Sequence, residues 1–497
     1  MRLPSKRTGF SLSCFLVWVA SCRPFGQPPP AAQEWPAGIR QVLENTRPLT
    51  WPRGKRLPLY LWPAMSPGVL TAERAEALVG ELDRRGVALI SSWEPGRRKE
   101  SLEEALPVAR AQKKRGLPVS INANACLYSL FNGDPATAHI DAAGKPFWDT
   151  SFEGKKDMGC PFTLEERRKE IRERISFFIE AYHRQGLPVD FLFADWEIDG
   201  PLEWNGAWES SRKCRRCREQ LPGLDDFAVF QKAMREMRGR LQKEIFSDPV
   251  RARYPGALVG NYAVYPHDGT RYWFDYFENR GESPATVKDR KAPYRRWARE
   301  FEFTGYTMAM PVLYPWSWTW DWYDFPVPDY RWFYNLLLEA SSAGKSTPPG
   351  MPLIPFVHWH LTVPPTPPDP RIVSIRSEAY QELLWHALLR GADSFFLWCL
   401  PEENEEEIRL VHTVWAEAQQ YGEFLDKGIP VVFDVPGQPG TVLSALQLDR
   451  RVLVRRTDFL SSRAPAELNL GGKKISIASD PGRCRIYSLD SAGDRTR

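Results

Sequence analysis

The sequence predicts a (β/α)8 barrel, a fold of the α/β class, followed by a small all-β domain. Between residues 51 and 427, eight apolar strand-like runs alternate with amphipathic helical stretches, which is the rhythm of a parallel sheet closed into a TIM barrel. After residue 427 the helical periodicity stops, and short apolar runs separated by turn residues follow. A chain of 497 residues is long enough for a barrel and a second, smaller domain.

The eight strands are predicted from apolar runs, because a strand of a parallel sheet is buried on both faces. Their predicted bounds are 57–62, 87–93, 117–123, 189–195, 257–265, 306–314, 352–358 and 393–398. Helices are predicted where apolar residues recur three and four positions apart. The main ones are 71–85, 164–183, 226–246, 330–343, 377–389 and 406–425. Thr163, with Glu166 three residues later, predicts a capping box at the start of the helix 164–183.

Two of the predicted strand-to-helix connections are long, namely 124–162 and 197–224. Loops of this length in a compact domain are usually functional, and both leave the C-terminal ends of strands, the catalytic face of a barrel. Residues 428–497 are expected to form a small β-sandwich-like domain that packs on the barrel, since about 70 residues make a marginal core alone. Its strands are predicted at 430–434, 451–455, 474–478 and 485–488.

Residues 1–21 are predicted to be a signal peptide that is removed. A basic start precedes an apolar run from Phe10 to Ala20, which is too short to span a bilayer as a mature helix. The run ends in Val-Ala-Ser-Cys22, which resembles a bacterial lipoprotein box, whose cysteine is lipidated after cleavage before it. Residues 22–50 then form a lipid-anchored, Pro-rich tether and lead-in, and the protein is exported to the periplasm or the outer membrane. The alternative is an ordinary secretory signal cleaved nearby.

The charge of the chain argues against a nucleic-acid partner. Residues 1–21 carry three positive and no negative charges, so their removal lowers the formal net charge from +4 to +1. Membrane contact is expected through the lipid anchor only. Cys214 and Cys217 form the one close cysteine pair, and the pair could be half a zinc site, a redox motif or a local disulfide. A second such pair and a nearby histidine pair are missing from the sequence, so no metal or other cofactor is predicted.

The strand predicted at 189–195 runs into Asp195-Trp196-Glu197. Side chains two residues apart leave a strand on the same face, roughly 7 Å apart. Asp195 and Glu197 are therefore expected to enter the barrel mouth together, with Trp196 turned toward the surrounding helices. Paired carboxylates in a cleft are what glycoside hydrolysis requires. The alternative is two solvated charges at the end of a strand.

Four short motifs resemble those of the hyaluronidases, glycoside hydrolase family 56, and more distantly of the family 18 chitinases. Asp195-Trp196-Glu197 is similar to the Asp-Trp-Glu that both families have at the end of the fourth strand. Three further segments resemble the hyaluronidase motifs of strands five, six and eight: Gly260–Pro266, Pro311–Pro315 and Gly391–Trp398. The resemblance covers roughly residues 186–400. The residues after the motif, 198–201, differ from the hyaluronidase Glu-Trp-Arg-Pro, which bears on the substrate more than on the chemistry.

This resemblance implies an enzyme, a retaining glycoside hydrolase that cleaves an N-acetylhexosamine-containing polysaccharide. It implies that Glu197 is the general acid and base and that Asp195 orients the acetamido group of the substrate. The carbonyl oxygen of that group then attacks the anomeric carbon, so the enzyme needs no nucleophile of its own. Tyr314 and either Tyr262 or Tyr265 could hydrogen-bond the acetamide, and Trp398 could form an apolar floor beneath the sugar.

Further substrate contacts are predicted at other strand ends. The segment 316–322 has a tryptophan at every second position, and it is expected to line a cleft in which sugar rings stack. Within it, Trp316 and Trp318 are the predicted substrate-binding residues. The remaining predicted contacts are Asn122, Asn124, Asn261, His358 and Glu94. His358 and His360 are spaced to point the same way, but with no matching histidine pair on another strand they are interpreted as substrate contacts or packing residues.

Two rival functions stay open at this point. The predicted tip of strand seven, residues 356–360, contains no carboxylate, although retaining barrels often have a catalytic glutamate there. This favours the substrate-assisted mechanism. The first rival is a glycosidase that acts on sugars without an acetamido group, with Glu94 or Asp199 as its second carboxylate. The second is a carbohydrate-binding barrel without turnover. The intact pair Asp195 and Glu197 argues against it, because a binding protein does not need a catalytic acid.

Overall fold

The computed structural model describes residues 35–62, 66–127, 131–151, 157–196, 202, 206–262, 300–398, 404–460 and 464–490. Several predicted features lie outside the described residues: the signal peptide, Cys22, Glu197, Asp199 and Tyr265. Among the helices that are described, none is both long enough and apolar enough to cross a membrane.

Eight parallel strands form a closed barrel, as the sequence predicts. They are β1 (Tyr60–Trp62), β2 (Ile90–Ser92), β3 (Ser120–Asn122), β6 (Phe191–Ala194), β7 (Leu258–Asn261), β8 (Val312–Leu313), β9 (Phe356–Val357) and β10 (Phe396–Trp398). They pair in the orders β2-β3-β6-β7 and β1-β10-β9-β8. A parallel bridge from Leu59 to Val87 joins β1 to β2. At the opposite seam the amide of Thr307 donates to the carbonyl of Val259 at 2.9 Å.

Each predicted strand is present, but the hydrogen-bonded part is two to four residues long. A further two-stranded antiparallel hairpin lies in the long connection after β3. Its strands are β4 (His139–Ile140) and β5 (Pro146–Phe147).

The described helices surround this barrel, and the six helices predicted from the sequence are present among them near their predicted bounds. They are α1 (Ala37–Asn45), α2 (Ala72–Arg84), α3 (Arg98–Lys114), α4 (Asn124–Leu127), α5 (Leu164–Arg184), α6 (Ala207–Lys213), α7 (Arg215–Gln220), α8 (Phe227–Gln242), α9 (Asp248–Arg253), α10 (Glu300–Thr304), α11 (Pro328–Ser346), α12 (Ser377–Leu389), α13 (Asn404–Ala418) and α14 (Gly422–Lys427). The predicted helix 226–246 ends in a π-helical turn, and the predicted helix 406–425 divides into α13, a 3₁₀ turn and α14.

The predicted capping box at Thr163 is wrong. A 3₁₀ turn, Pro161–Thr163, leads directly into α5, so Thr163 already has helical backbone angles and its side chain does not cap the helix. Its hydroxyl donates to the carbonyl of Cys160 at 2.6 Å. A hydroxyl caps a helix only from a non-helical residue, and the preceding turn removes that geometry.

Aromatic rings fill the inside of the barrel. The ring centroids of Tyr60 and Phe191 lie 4.0 Å apart, those of Phe193 and Phe396 4.4 Å apart, and those of Phe356 and Phe396 4.6 Å apart. All five side chains are fully buried. The barrel is therefore a packed core below its mouth, and any site must lie at the strand ends.

The C-terminal residues form two antiparallel sheets. Their strands are β11 (Ile429–Pro430), β12 (Thr441–Leu448), β13 (Arg451–Asp458), β14 (Ala466–Leu470), β15 (Lys473–Ile477) and β16 (Cys484–Ser488). One sheet has the order β11-β12-β13-β16, and β14 pairs with β15. The strand predicted at 430–434 is reduced to β11, and β12 and β14 have no counterpart among the predicted strands.

This all-β region packs on the barrel through α12, as expected for so small a core. Arg390, which follows that helix, is completely buried. Its guanidinium donates to the hydroxyl of Ser444 at 2.8 Å and to the carbonyls of Phe433, Asp434 and Leu443 at 2.9–3.1 Å. A buried cation that is satisfied by the neighbouring region fixes how the two regions meet.

Candidate active site

The register of β6 decides which way the carboxylate motif points. Phe191 and Phe193 belong to the cluster inside the barrel, whereas Leu192 and Ala194 belong to the cluster between the barrel and its helices. Trp196 continues the second row and is fully buried among those helices. Asp195 therefore continues the inward row, because side chains alternate along an extended chain. The expected outward direction of Trp196 is confirmed.

Three side chains hold the backbone at this strand end. The amide oxygen of Asn124 accepts from the backbone N–H of Asp195 at 3.1 Å, and that of Asn261 accepts from the N–H of Trp196 at 2.9 Å. The carbonyl of Trp196 accepts from Asn261 Nδ2 at 3.1 Å and from Arg238 Nη2 at 3.0 Å. Arg238 also lies over the Trp196 ring, 5.1 Å from its centroid. The backbone that carries Asp195 is thus held in one position.

The asparagines predicted to bind sugar are engaged in building this strand end. Asn122 Oδ1 accepts from the backbone N–H of Asn124 at 2.9 Å, and its Nδ2 donates to the hydroxyl of Ser92 at 3.4 Å. Asn124 in turn holds Asp195. Asn261 is buried, and its Nδ2 also donates to the carbonyl of Tyr262 at 2.8 Å. These contacts position the backbone of Asp195 and Trp196.

Five predicted substrate residues form one aromatic cluster at the strand ends. The ring of Tyr314 lies 5.7 Å from Trp398, 5.7 Å from His358, 5.6 Å from Trp316 and 6.4 Å from Tyr262, measured between centroids. Trp398 is partly exposed, and the other four are buried. Trp398 is therefore the member of the cluster that solvent or a ligand can reach.

Tyr262 connects this cluster to the carboxylate motif. In the pairing of β6 with β7, Ala194 is the partner of Asn261, and the N–H of Tyr262 donates to the carbonyl of Ala194 at 2.9 Å. Asp195 and Tyr262 thus follow paired residues on adjacent strands at the same height in the barrel. Asp195 and the cluster share one end of the barrel.

A buried carboxylate that sequence reasoning missed supports the cluster. Glu407 of α13 is completely buried, and its Oε2 lies 3.0 Å from His358 Nδ1. Its Oε1 accepts from the backbone N–H of Trp359 at 2.7 Å and from the hydroxyl of Tyr380 at 3.3 Å. Glu407 thus orients the His358 imidazole. The predicted strand-seven tip has no carboxylate of its own, but α13 supplies one beside it.

Glu94 follows β2 at the same end of the barrel. Burial raises the pKa of its carboxyl, while Arg97 nearby opposes the rise. The backbone N–H of Glu94 donates to the hydroxyl of Ser101 at 3.1 Å, which in turn donates to the carbonyl of Ser92. A half-buried carboxyl whose pKa is raised keeps its proton to a higher pH than an exposed one does.

The tryptophan row differs from the expected cleft lining. Residues Ser317–Trp322 form a 3₁₀ helix, whose three-residue turns break the period-two alignment that a strand would have. Trp320 and Trp322 are buried in the core between the barrel and its helices, and Trp320 lies 5.1 Å from Trp332. The prediction that these two line a cleft is wrong. Trp316 is buried against Tyr314, and the Trp318 side chain lies outside the described residues.

The chain resembles solved structures, although no protein-family profile and no curated protein matches it. A polyextremophilic β-galactosidase from the Antarctic haloarchaeon Halorubrum lacusprofundi is 12% identical, with a TM-score of 0.45, over 75% of this chain and 59% of that one. A glycoside hydrolase family 42 β-galactosidase from G. stearothermophilus is 10% identical, with a TM-score of 0.43, over 76% and 58%. A noncanonic maltogenic α-amylase from Thermotoga neapolitana is 12% identical, with a TM-score of 0.43, over 86% and 95%.

The chain spans less than two thirds of the length of the two β-galactosidases. All three proteins are glycosidases by name, and at 10–12% identity with TM-scores of 0.43–0.45 the similarity carries no conclusion about this chain. The fold of this chain, a closed (β/α)8 barrel with a C-terminal all-β region, rests on its own strand pairing. What its site does must follow from its own residues.

Proposed function

We propose that this protein is a retaining glycoside hydrolase that cleaves an N-acetylhexosamine-containing polysaccharide with the help of the substrate's acetamido group. The register of β6 carries this proposal. Asp195 follows Phe191 and Phe193 in the inward row, and Trp196 is fixed in the outward row. If the chain stays extended for one more residue, the next inward position is Glu197. Two carboxylates then meet a substrate at the barrel mouth.

In the proposed reaction, Glu197 protonates the glycosidic oxygen while the acetamido carbonyl oxygen attacks the anomeric carbon. The bond from that carbon to the leaving oxygen breaks, and a cyclic oxazolinium ion forms. Asp195 orients the acetamido nitrogen and balances its positive charge. Water, which Glu197 deprotonates, then attacks the same carbon and reopens the ring, so two inversions give net retention.

The aromatic cluster fits a sugar subsite in this scheme. Trp398 offers a partly exposed indole face on which a pyranose ring can stack, with Tyr314 and His358 packed behind it. Glu407 holds His358 in one orientation, so the wall of the subsite is preformed. A rigid subsite lowers the entropy that is lost when the substrate binds.

A second candidate is a glycosidase that acts on sugars without an acetamido group. Burial raises the pKa of Glu94, so Glu94 could be the acid while a carboxylate of the motif is the nucleophile. The reaction would then proceed through a covalent glycosyl-enzyme in two displacements.

Inhibition by a thiazoline mimic of the cyclic intermediate separates the two candidates. Purified protein is first tested for cleavage of hyaluronan, chondroitin, chitin oligomers and acetamide-free glycans. We expect cleavage of an acetamido polysaccharide, inhibition by the thiazoline, and a loss of turnover in Asp195→Asn comparable with that in Glu197→Gln. The surface substitution Glu103→Gln on α3 is the control, because that side chain is half exposed. A sugar trapped covalently on a carboxylate would favour the second candidate, and binding without cleavage of any glycan would favour a lectin-like barrel.

We also propose that the protein is exported and anchored by a lipid on Cys22. The sequence Val-Ala-Ser-Cys22 after a short apolar run supports this localisation, as does the Pro-rich segment that follows. A lipid-anchored hydrolase with a tether can reach a polymer outside the cell while it stays at the envelope.

A further inference from the structure

Four potential metal ligands meet away from the barrel interior. They are His139, Cys160, Cys214 and Cys217, and their ligand atoms all lie within 4.8 Å of one another. All four side chains are completely buried. Cys160 Sγ lies 3.5 Å from Cys217 Sγ, which in turn lies 3.9 Å from His139 Nδ1.

The separations of 3.5 and 3.9 Å are close to those in a tetrahedral zinc site. Zinc–sulfur bonds of about 2.3 Å and zinc–nitrogen bonds of about 2.0 Å place neighbouring ligand atoms roughly 3.5–3.8 Å apart. A disulfide would bring two sulfur atoms to about 2.05 Å, whereas Cys160, Cys214 and Cys217 are all free thiols. Three cysteines and one histidine, two of the cysteines in a C-x2-C pair, form an established zinc ligand set.

The local backbone is built to bring these ligands together. A Cβ on Gly159 would lie 2.0 Å from the carbonyl oxygen of Thr137, so only glycine lets this segment approach the turn that leads into β4. The N–H of Cys160 donates to the same carbonyl at 2.8 Å. On the other side, Arg216 of α7 donates to the carbonyls of Ala136 and Ala138, each at 3.1 Å.

The imidazole of the proposed site is held in place by a neighbouring ring. His139 stacks on Phe147 with 5.1 Å between the ring centroids, which fixes the imidazole with Nδ1 toward the sulfur atoms.

We propose that His139, Cys160, Cys214 and Cys217 bind one structural zinc ion. Four protein ligands close the coordination sphere, so no position is left for water or substrate, and the ion acts by holding the chain together. His139 and Cys160 belong to the long connection after β3, and the C-x2-C pair belongs to the long connection after β6. The zinc ion thus ties together two loops on the catalytic face, one of which begins at Glu197.

The proposal predicts about one zinc ion per chain in protein purified under reducing conditions without chelator. Metal content is measured by mass spectrometry, and zinc release is followed with a chromophoric chelator when an organomercurial blocks the thiols. Cys214→Ser and Cys160→Ser should lose most of the metal. Cys126→Ser and Cys484→Ser are the controls, because these cysteines are also buried but lie outside the cluster, and both variants should keep the metal.

Cobalt substitution of the wild-type chain gives a test that does not depend on whether the variants fold. Cobalt bound by three thiolates in a tetrahedral site should show thiolate-to-metal charge-transfer and strong d–d absorption, both of which zinc then displaces. Stoichiometric zinc with four protected ligands supports the site, whether or not the protein cleaves a glycan. Wild-type protein without metal, or with a disulfide between two of the three cysteines in unreduced peptide maps, would overturn it.

Discussion

Asn261 offers the sharpest perturbation of the strand end that presents Asp195. This buried asparagine of β7 accepts from the backbone N–H of Trp196 and donates to the carbonyls of Trp196 and Tyr262, at 2.9, 3.1 and 2.8 Å. Asn261→Ala removes all three hydrogen bonds at once. The carbonyl of Trp196 keeps its bond from Arg238, but its N–H loses the bond that the amide oxygen of Asn261 provides.

The size of the effect follows from these contacts. A hydrogen bond contributes about 1 kcal/mol net, and a buried donor left without a partner costs about 1–3 kcal/mol. We therefore expect Asn261→Ala to lower the free energy of unfolding by about 3–4 kcal/mol. Because Arg238 alone then holds the peptide before Glu197, we expect kcat to fall by about tenfold to a hundredfold, with a smaller change in KM.

Asn335→Ala is the matched control for this experiment. Asn335 of α11 is as buried as Asn261, but its amide makes one described hydrogen bond, from Nδ2 to the carbonyl of Thr319. Urea unfolding of both variants should show a loss of about 1 kcal/mol for the control, whose kcat should match the wild type. The reasoning fails if Asn261→Ala is no less stable than Asn335→Ala, or if it keeps full turnover.

Three further predictions address pH, the buried carboxylate and export. Burial raises the pKa of Asp393 to about 6 from 3.8, although the N–H of Leu353 donates to this carboxylate. Because the folded protein binds this proton more tightly than the unfolded chain, the stabilisation is complete below about pH 3.8 and is lost as the pH rises through about 6. The free energy of unfolding then falls by at most about 3 kcal/mol. Asp393→Asn should then gain on the wild type in denaturation at pH 7 but not at pH 4. Glu407→Gln keeps the shape of the side chain but weakens its hydrogen bond to His358, so KM should rise several-fold. A pH-independent loss of folded protein would instead contradict the role of Glu407 in orienting His358. Cys22→Ala should release the protein from membranes without changing its melting temperature, and a wild-type protein that is already soluble would indicate an ordinary secretory signal.

The barrel is predicted well because strands that are buried on both faces consist almost entirely of apolar residues. Each barrel strand reads as an apolar run, and the helix predicted at 377–389 has the bounds that the structure shows. The strand ends are harder, since apolar residues continue beyond the last hydrogen bond of the sheet. The missed strand β12, residues Thr441–Leu448, contains polar Ser444 and Gln447 among apolar residues, and Ser444 is buried because Arg390 and His386 bind it.

The candidate site is predictable only in part. The alternation Phe191, Phe193, Asp195 is a property of one strand, so the sequence shows it. Contacts between distant segments leave no such pattern. The four proposed zinc ligands come from three separate segments of the chain. Glu407 lies in a run of acidic residues at the start of α13, a pattern that usually marks a solvated helix end. Only its contacts with His358, Trp359 and Tyr380 show that this one carboxylate is buried.

The turnover of Glu197→Gln tests the central claim most directly. Glutamine preserves the shape of the side chain but cannot deliver a proton, and general acid catalysis alone is worth about 10²- to 10⁴-fold. We expect kcat on the best acetamido polysaccharide to fall at least that far while ligand binding survives, and Glu103→Gln to leave it unchanged. Equal turnover of the wild type and Glu197→Gln on every substrate would contradict the assignment of this carboxylate pair.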